Sequence, residues 1–469
     1  MKKLTTLLLA AGMVFAASAP ASAVDVKMDG SYLFQFTQGA GENFDSSKFD
    51  REMQMVRIGM TFSVSEQLSG YLQTHSKWAW GNTNTDLDGA DGLGSHPDMY
   101  LRQAYIDWLI PSTDVKVRMG RQLLALPGLA NGKNPALWWS DPADGIAIDA
   151  PVTDWLSLSA WWARYSHMGA TLVKNGGSYT SIHDTAGSNS ADVFTLAADF
   201  TYFDGFRFQP FFAFATQDNG TMADSANGTA NALLPGLSDI KLHNNGTYTG
   251  SISNNTYWLG FTGTMTYFDP FQAKLGFMYG DRDFKSSKGL PSQHGYFMDA
   301  TVSYKTAYGT PELLAFYGSG DDEDVTYAYQ ENMPSLVGRF KGAYGFFNGS
   351  NLEDNTLQNN HTGMGVWGLR AAWKNISFIE DLSHEIGVMY AQGTNDAKNK
   401  DFGLAPHRYM TTDDSVVEID FSTTYNIYKN LTAYLEAAYV FEDFDNGGQY
   451  RQASYDDAWK VALQFEYKF

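Results

Sequence analysis

The chain ends "WKVALQFEYKF", residues 459–469, with Trp459, Val461, Leu463, Phe465, Tyr467 and Phe469 on alternate positions and Lys460, Ala462, Gln464, Glu466 and Lys468 between them. Successive side chains of a strand point to opposite faces, so a period of two describes a strand with one apolar and one polar face. A strand at a chain end needs a partner, and its apolar face needs a cover. What provides that cover decides the fold.

The other terminus supplies an address. "MKKLTTLLLAAGMVFAASAPASA" (1–23) carries Lys2 and Lys3, an apolar run from Leu7 to Ala17, and then Ala21-Ser22-Ala23. This is the charged, apolar, small-x-small order of a secretory leader, and it predicts a mature chain from Val24. The apolar run falls well short of the ~20 residues a membrane-spanning helix needs. The domain reading is a signal peptide over 1–23 and a single domain over 24–469.

Composition narrows the class. Loss of Lys2 and Lys3 takes the formal charge from −20 to −22, a balance that excludes nucleic acid as a partner. The absence of Cys excludes a disulfide scaffold and any Cys metal site. An exported chain with 15% aromatic residues, 45 Gly and no apolar stretch of helical span length is periplasmic, extracellular, or an outer-membrane β-barrel.

Alternation recurs along the whole chain. Outward-phase sets include Tyr32, Phe34, Phe36; Val56, Ile58, Met60, Phe62; Val115, Val117, Met119; Phe206, Phe208, Phe212, Phe214; Leu275, Phe277, Tyr279; and Val417, Ile419, Phe421. Such segments are weak signals singly and strong when repeated. The connections alternate too. Short links fall near 65–69, 109–114, 151–154, 202–205, 267–270, 306–310, 375–381 and 427–430, with long polar loops between them. Eight tight turns and nine long loops predict an all-β, transmembrane antiparallel barrel of 18 strands, or 16 if 143–151 is not a strand. A soluble sandwich or propeller has no reason to keep every long loop at one end. The strand ending at Phe469 is then expected to close on the first one, near Val26–Phe36, with lipid covering its apolar face.

Several stretches carry a resemblance. "LRQAYIDW" (101–108), "NPALWWSDPADGIAIDAP" (134–151), "GTPELLAFYGSGDDED" (309–324) and "VEIDFSTTYNIYKNLTAYLEAAYVFED" (417–443) resemble the outer membrane homotrimeric porins of sulfate-reducing bacteria. The leader, the terminal Phe469 and "VKVRMGRQ" (115–122) before a long third loop look like general trimeric porins. The resemblance implies passive diffusion of small hydrophilic solutes and ions through a water-filled lumen, a homotrimer in the outer membrane of a Gram-negative bacterium, and an inward-folded third loop. It also implies contact with outer-membrane lipid and lipopolysaccharide, and recognition of Phe469 by the barrel assembly machinery. No cofactor is implied.

The residues themselves support the same parts. The third loop, "LLALPGLANGKNPALWWSDPAD" (123–144), is stiffened by Pro127, Pro135 and Pro142. Its alternative is an ordinary surface loop over the barrel mouth. Adjacent Trp138 and Trp139 favour the inward course, since two exposed indoles form an unusual apolar patch, and it takes Asp141 and Asp144 towards the wall. By phase, Arg57, Lys77, Lys116, Arg118, Arg207 and Lys274 form a basic wall, and Glu385, Glu418, Asp420 and Glu436 an acidic one. Opposed arcs of this kind set up a transverse field across a pore; the bland alternative is that they solvate a wet lumen. Arg102, Arg121 and Arg164 have ambiguous phase.

Enzymatic signatures are missing. The nine His are scattered with no pair within five positions, and no nucleophile elbow, Walker A or dinucleotide fingerprint occurs. "DLDGADG" (86–92) departs from a calcium loop at its fifth and sixth positions, and it and "GDDED" (320–324) read better as solvated acidic loops than as Ca²⁺ sites. The alternatives to a general porin are a substrate-specific channel of the sugar or organic-acid type, for which inward Trp258, Phe316 and Tyr434 are too dispersed to prove an aromatic slide, and a barrel enzyme, which lacks a convincing Ser/His pair. A plugged receptor is not expected, because the first strand begins within a few residues of the leader.

Overall fold

The computed structural model describes residues 24–80, 99–137, 142–167, 170–175, 178–183, 190–221, 251–285, 292–323, 329–336, 338–347, 349–350, 352, 357, 362–401, 406–445 and 454–469. The strands in chain order are β1 (Asp25–Ala40), β2 (Lys48–Ser65), β3 (Leu68–Ala79), β4 (Tyr100–Leu109), β5 (Lys116–Gln122), β6 (Ala143–Thr153) and β7 (Leu156–His167). Next come β8 (Ala170–Asn175), β9 (Ser178–His183), β10 (Ser190–Phe200), β11 (Phe206–Thr221), β12 (Ser251–Met265), β13 (Phe271–Lys285) and β14 (Ser292–Tyr304). The last are β15 (Thr310–Gly318), β16 (Tyr329–Gln330), β17 (Val366–Ile379), β18 (Leu382–Gly393), β19 (Ser415–Tyr428), β20 (Leu431–Asp443) and β21 (Ala458–Lys468).

Eighteen of these strands form one closed antiparallel sheet in chain order. The other three are the β8–β9 hairpin and the two-residue β16, which pairs parallel to β14. β6 pairs with both β5 and β7, which makes the count 18 rather than 16. The sheet closes where β21 meets β1, from Ala40↔Trp459 to Ser31↔Lys468. Gly30 and Phe469 then exchange two backbone hydrogen bonds, at 3.0 and 3.1 Å. A Cβ at Gly30 would lie 2.6 Å from both the Phe469 ring and the Arg57 carbonyl oxygen, so the close approach of the terminal ring needs glycine there. Closure removes the sheet edge, whose unpaired amides could not survive in lipid.

All eight tight links overlap the stretches read from the sequence, the shortest being 66–67, 154–155, 380–381 and 429–430. One boundary differs: β17 continues to Ile379 through residues read as a turn, past irregular pairing after Trp373 and positive φ at Asn375. The outer wall is apolar, with Leu196, Leu259, Leu275, Val388 and Ile419 between 45% and 60% exposed. Aromatic rings are exposed at both rims: Trp155, Tyr202, Tyr267 and Tyr428 at the turn end, Trp80, Tyr257, Tyr390 and Trp459 at the loop end. That arrangement suits amphipathic rings settling at two lipid–water interfaces. The buried core lies inside the barrel, where Trp258, Phe297 and Phe316 of the wall meet Leu137, Phe340 and Phe347 from two loops.

Candidate functional site

The third loop leaves β5 at Gln122, enters the lumen, and returns at Ala143. Leu124, Leu126, Leu129 and Leu137 are buried along it. Its tip docks on a distant part of the wall. The amides of Ala130 and Asn131 donate to the Asp299 carboxylate on β14, both at 2.9 Å, and Thr262 on β12 donates to the Gly128 carbonyl at 2.7 Å. The Asn134 Oδ1 accepts from the amides of Ala136 and Leu137, fixing the returning turn.

The described residues of a second loop, chiefly 329–336 and 338–347, also fill the lumen, which the sequence reading did not foresee. Pro334 accepts from the Trp258 indole at 2.7 Å and Ser335 from the Arg282 guanidinium at 3.1 Å. Phe340 packs between Phe316 and Phe347, ring centres 4.6 and 5.3 Å away. Farther on, Glu418 of β19 accepts the amides of Gly345 and Phe346, and Ser350 donates to Glu436 of β20. The two loops are joined: Leu336 and Arg339 donate their amides to the carbonyls of Ala136 and Asn134, each at 2.9 Å, and Ser335 Oγ donates to Pro135 O. Trp258 and Phe316 are therefore covered by loop, not displayed as an aromatic slide, while Tyr434 reaches towards Glu466. The available signal was the run "MPSLV" to "AYGFF" (333–347), which is rich in Phe and Tyr and has no acidic residue.

The basic positions lie on inward-phase sites of their strands. Arg57 donates to His75 Nδ1 at 3.1 Å, Lys77 stands opposite buried Met55, and Lys116 stands opposite Asp149. Lys274 points into the same side as Thr301. Two members are neutralised by neighbours. Arg118 makes a bidentate pair with Asp107 at 2.6 and 2.7 Å, its guanidinium 3.9 Å from the Tyr105 ring, and Arg207 pairs with Asp199. The opposite wall is not purely acidic either. Arg370 bridges Asp420 and Glu385 at 2.5 and 2.9 Å, and Lys460 lies 3.9 Å from Glu436. Arg370, Lys374 and Lys460 were not singled out, although strand phase marks them as inward.

One position is corrected. Asp144 shares the outward phase of Ile146 and Ile148, stands opposite Arg121 and Arg164, and lies 3.3 Å from the Arg121 guanidinium. Because β6 begins at Ala143, its alternation rather than the loop's course aims the Asp144 side chain. Arg121 and Arg164 are thereby outward, the latter paired with Asp192 at 2.8 Å. Arg102 turns inward through irregular pairing beside Gln73, to which it donates at 2.8 Å. Trp138, Trp139 and Asp141 lie outside the described residues, as does 86–92. In "GDDED", the Asp321 carboxylate accepts from the amides of Glu331 and Asn332 and from the Tyr409 hydroxyl. Those donors use it to clasp the outer loops, and among the described residues no cluster of acids and His could hold a metal.

Where both loops approach β13, β14, β15, β17 and β18, a cavity of about 110 Å³ remains. Its charged lining is Lys274, Lys341, Arg370 and Lys374 against Glu312 and Glu385. Burial, together with Lys374 and Arg370, pulls the Lys341 ammonium below the ordinary lysine value, although Glu385 and Glu436 oppose this. Lys133 on the third loop is pulled down to about 8, by burial first and then by Lys341 and Arg339.

No family model matches the sequence, and no curated protein matches it. Solved structures do. OpdK of Pseudomonas aeruginosa, crystallised with vanillate, aligns over 95% of this chain and 98% of its own, with a TM-score of 0.54 and 10% identity. OccK8 (OprE) of the same organism aligns over the same shares, with a TM-score of 0.54 and 11% identity. A BenF-like porin from Pseudomonas fluorescens gives 0.55 and 12%, again over 95% and 98%. At such identities the likeness is one of fold, and the fold is that of outer-membrane porin barrels.

Proposed function

We propose that the chain is an outer-membrane porin through which small hydrophilic solutes and ions diffuse. The observation that carries this is a closed 18-stranded barrel with an apolar outer belt and a charged lumen narrowed by two inward loops; 16–18 strands enclose an aqueous channel. Residues 1–23 are read as a cleaved leader, and the resemblance to trimeric porins of sulfate-reducing bacteria supports a homotrimer, contact with lipopolysaccharide, and recognition of Phe469 during barrel assembly. The similar Pseudomonas fluorescens structure is described as a BenF-like porin, and we assign no catalytic role. Arg57, Lys77, Lys116, Arg118, Arg207, Lys274, Glu385, Glu418, Asp420 and Glu436 are assigned to the pore wall.

A second observation favours the selective form of this reading. The formal charge of −22 after leader loss argues for cations, but charges beyond a Debye length of about 8–10 Å are screened, and the cavity lining is predominantly cationic. The channel is therefore read as preferring anions. The bound vanillate of OpdK is a carboxylate, which fits that direction. Conductance of the purified protein in planar bilayers, with the reversal potential across a KCl gradient, tests both parts. Absence of stepwise conductance overturns the porin reading; a cation-selective reversal potential overturns the anion preference.

A further inference from the structure

One row of the outer wall is charged. Arg121 on β5 stands directly opposite Asp144 on β6, Asp144 opposite Arg164 on β7, and Arg164 opposite Asp192 on β10. Neighbouring strands thus present alternating cations and carboxylates on their outward phase, and the row reaches into the apolar belt. Outward Val117 pairs with Trp108 at the turn-end rim, and Arg121 is four residues farther along β5. A tilted strand climbs about 2.5 Å per residue, which puts Arg121 about 10 Å into a belt about 25 Å tall. On β4 the outer wall stays apolar beyond Ala104, the residue opposite Arg121, with Leu101 44% exposed.

Acyl chains cannot satisfy this row. Asp192 is well served, accepting from the Arg164 guanidinium at 2.8 and 2.9 Å and from the Trp162 indole at 3.1 Å. Asp144 is held more loosely: the bonds it accepts from Arg121 are long, 3.3 and 3.4 Å, and its side chain is 66% exposed. A charge on the lipid face is costly at depth and cheap only near the interfaces, so an open carboxylate beneath the rim favours a protein cover that brings polar groups. Two arginines balance two aspartates, which gives a lipid phosphate no excess of cations to bind. The surroundings also suit close approach. Ala104 and Ala160 face outward on β4 and β7, and small residues let two walls come near each other. The outer face of β11–β14 is instead covered by exposed Phe212, Tyr257 and Tyr296.

We infer that the outer face of β4–β7, centred on Arg121, Asp144 and Arg164, is the contact between copies of this chain, which rests on the homotrimer reading and adds the face through which the copies meet. In a cyclic trimer the contact is heterologous, this face meeting a different patch of the next copy. The neighbouring copy supplies Asp144 with donors that acyl chains lack, and the aromatic face of β11–β14 is left to lipid.

Sedimentation of the purified full chain in mild detergent, with wedges placed on the two faces, tests it. Ala160→Trp is tolerable to a wall that faces lipid but not to one packed on another copy. It is expected to convert the multimer into single, still heat-resistant barrels, whereas Leu259→Trp on β12 is expected to leave the multimer intact. The chain has no Cys, so a thiol-reactive fluorophore reports one chosen site. In vesicles of brominated phosphatidylcholine free of lipopolysaccharide, the label on Ile146→Cys is expected to be quenched severalfold less than the label on Leu259→Cys. A labelled Ile146→Cys protein that itself sediments as single barrels, while labelled Leu259→Cys stays multimeric, is the same wedge effect and upholds the contact. A native multimer that survives Ala160→Trp, or that shows equal quenching at the two sites, overturns this face and leaves the homotrimer standing. Shielding of Ile146 that appears only after lipopolysaccharide is added makes the cover lipid and overturns the contact. A native protein that sediments as a single barrel overturns both the homotrimer and the contact.

Discussion

Glu418 on β19 accepts the backbone amide of Gly345 at 2.6 Å, and its second oxygen accepts that of Phe346 at 2.8 Å. A fully buried wall carboxylate thus holds the second lumen loop by its main chain rather than facing an open channel as one end of a transverse field. Glu418→Ala leaves two buried amides unpaired, at about 1–3 kcal/mol each. We expect the loop to leave the wall and single-channel conductance to rise, with added open-channel noise. Unchanged conductance means that the apolar contacts of Phe340 and Phe347 suffice to hold it.

The junction of the two loops depends on Gly338. A Cβ built there falls 1.5 Å from the Pro135 carbonyl oxygen, a backbone atom with little freedom to retreat. Gly338→Ala is expected to break the Leu336–Ala136 and Arg339–Asn134 hydrogen bonds and to part the loops. The measurable outcome is faster proteolytic cleavage within 123–137 or 333–347, without loss of the heat-resistant barrel.

Arg370 is the hub of the acidic wall. It is 5% exposed and bridges Asp420 and Glu385, so Arg370→Met leaves two carboxylates without their cation. Breaking a buried pair in this way costs about 3–5 kcal/mol. The temperature at which the barrel loses its compact gel mobility is expected to fall, and Arg370→Met/Asp420→Asn is expected to recover most of the loss. No recovery in the double variant assigns Arg370 a packing role instead.

How far the sequence carried the structure depends on what sets each feature. Strand phase is a local consequence of pleating, so the outward sets, the turns near 66–67 and 429–430, and the closure of the terminal strand on the first one were legible from alternation and the spacing of the connections, while the pairing of Phe469 with Gly30 itself was not. Pairing across strands is not local. Arg118 and Asp107 share an inward phase, but only the register makes Asp107 the neighbour that neutralises Arg118. The same holds for Arg370 with Asp420, which lie on strands separated by β18. The second lumen loop was missed because aromatic residues in a long loop carry no period; their partners, Trp258, Phe297 and Phe316, break the polar-inside rule, and that breach was the readable hint.

On the basic side, Arg57→Ser with Arg118→Ser removes two long inward side chains and leaves the Asp107 carboxylate without its bidentate partner. Larger conductance and a reversal potential shifted towards cations are expected, most clearly at about 0.01–0.1 M salt, where the Debye length is longest. An unchanged reversal potential places the selective constriction elsewhere along the lumen.

Lys133 supplies a pH signature. On the third loop, burial and the cations Lys341 and Arg339 pull its ammonium from 10.5 down to about 8, with Glu436 opposing. Below that value the side chain is charged and adds to the positive potential of the lumen; above it the charge is gone. Anion preference is therefore expected to fall as pH rises from about 7 to about 9, with a midpoint near 8. Lys133→Gln should abolish the step while leaving the barrel intact. Stability follows the opposite course. The folded value lies below the unfolded one, so between about 8 and 10.5 the unfolded chain binds more protons, and stability rises with pH across that window. At pH 7 the buried ammonium opposes folding, and Lys133→Met is expected to raise the unfolding temperature of the loop-filled barrel there. At pH 11, where Lys133 is neutral in both states, that electrostatic advantage should disappear. A reversal potential flat from pH 7 to 9 in the native protein means that Lys133 does not face the ion path.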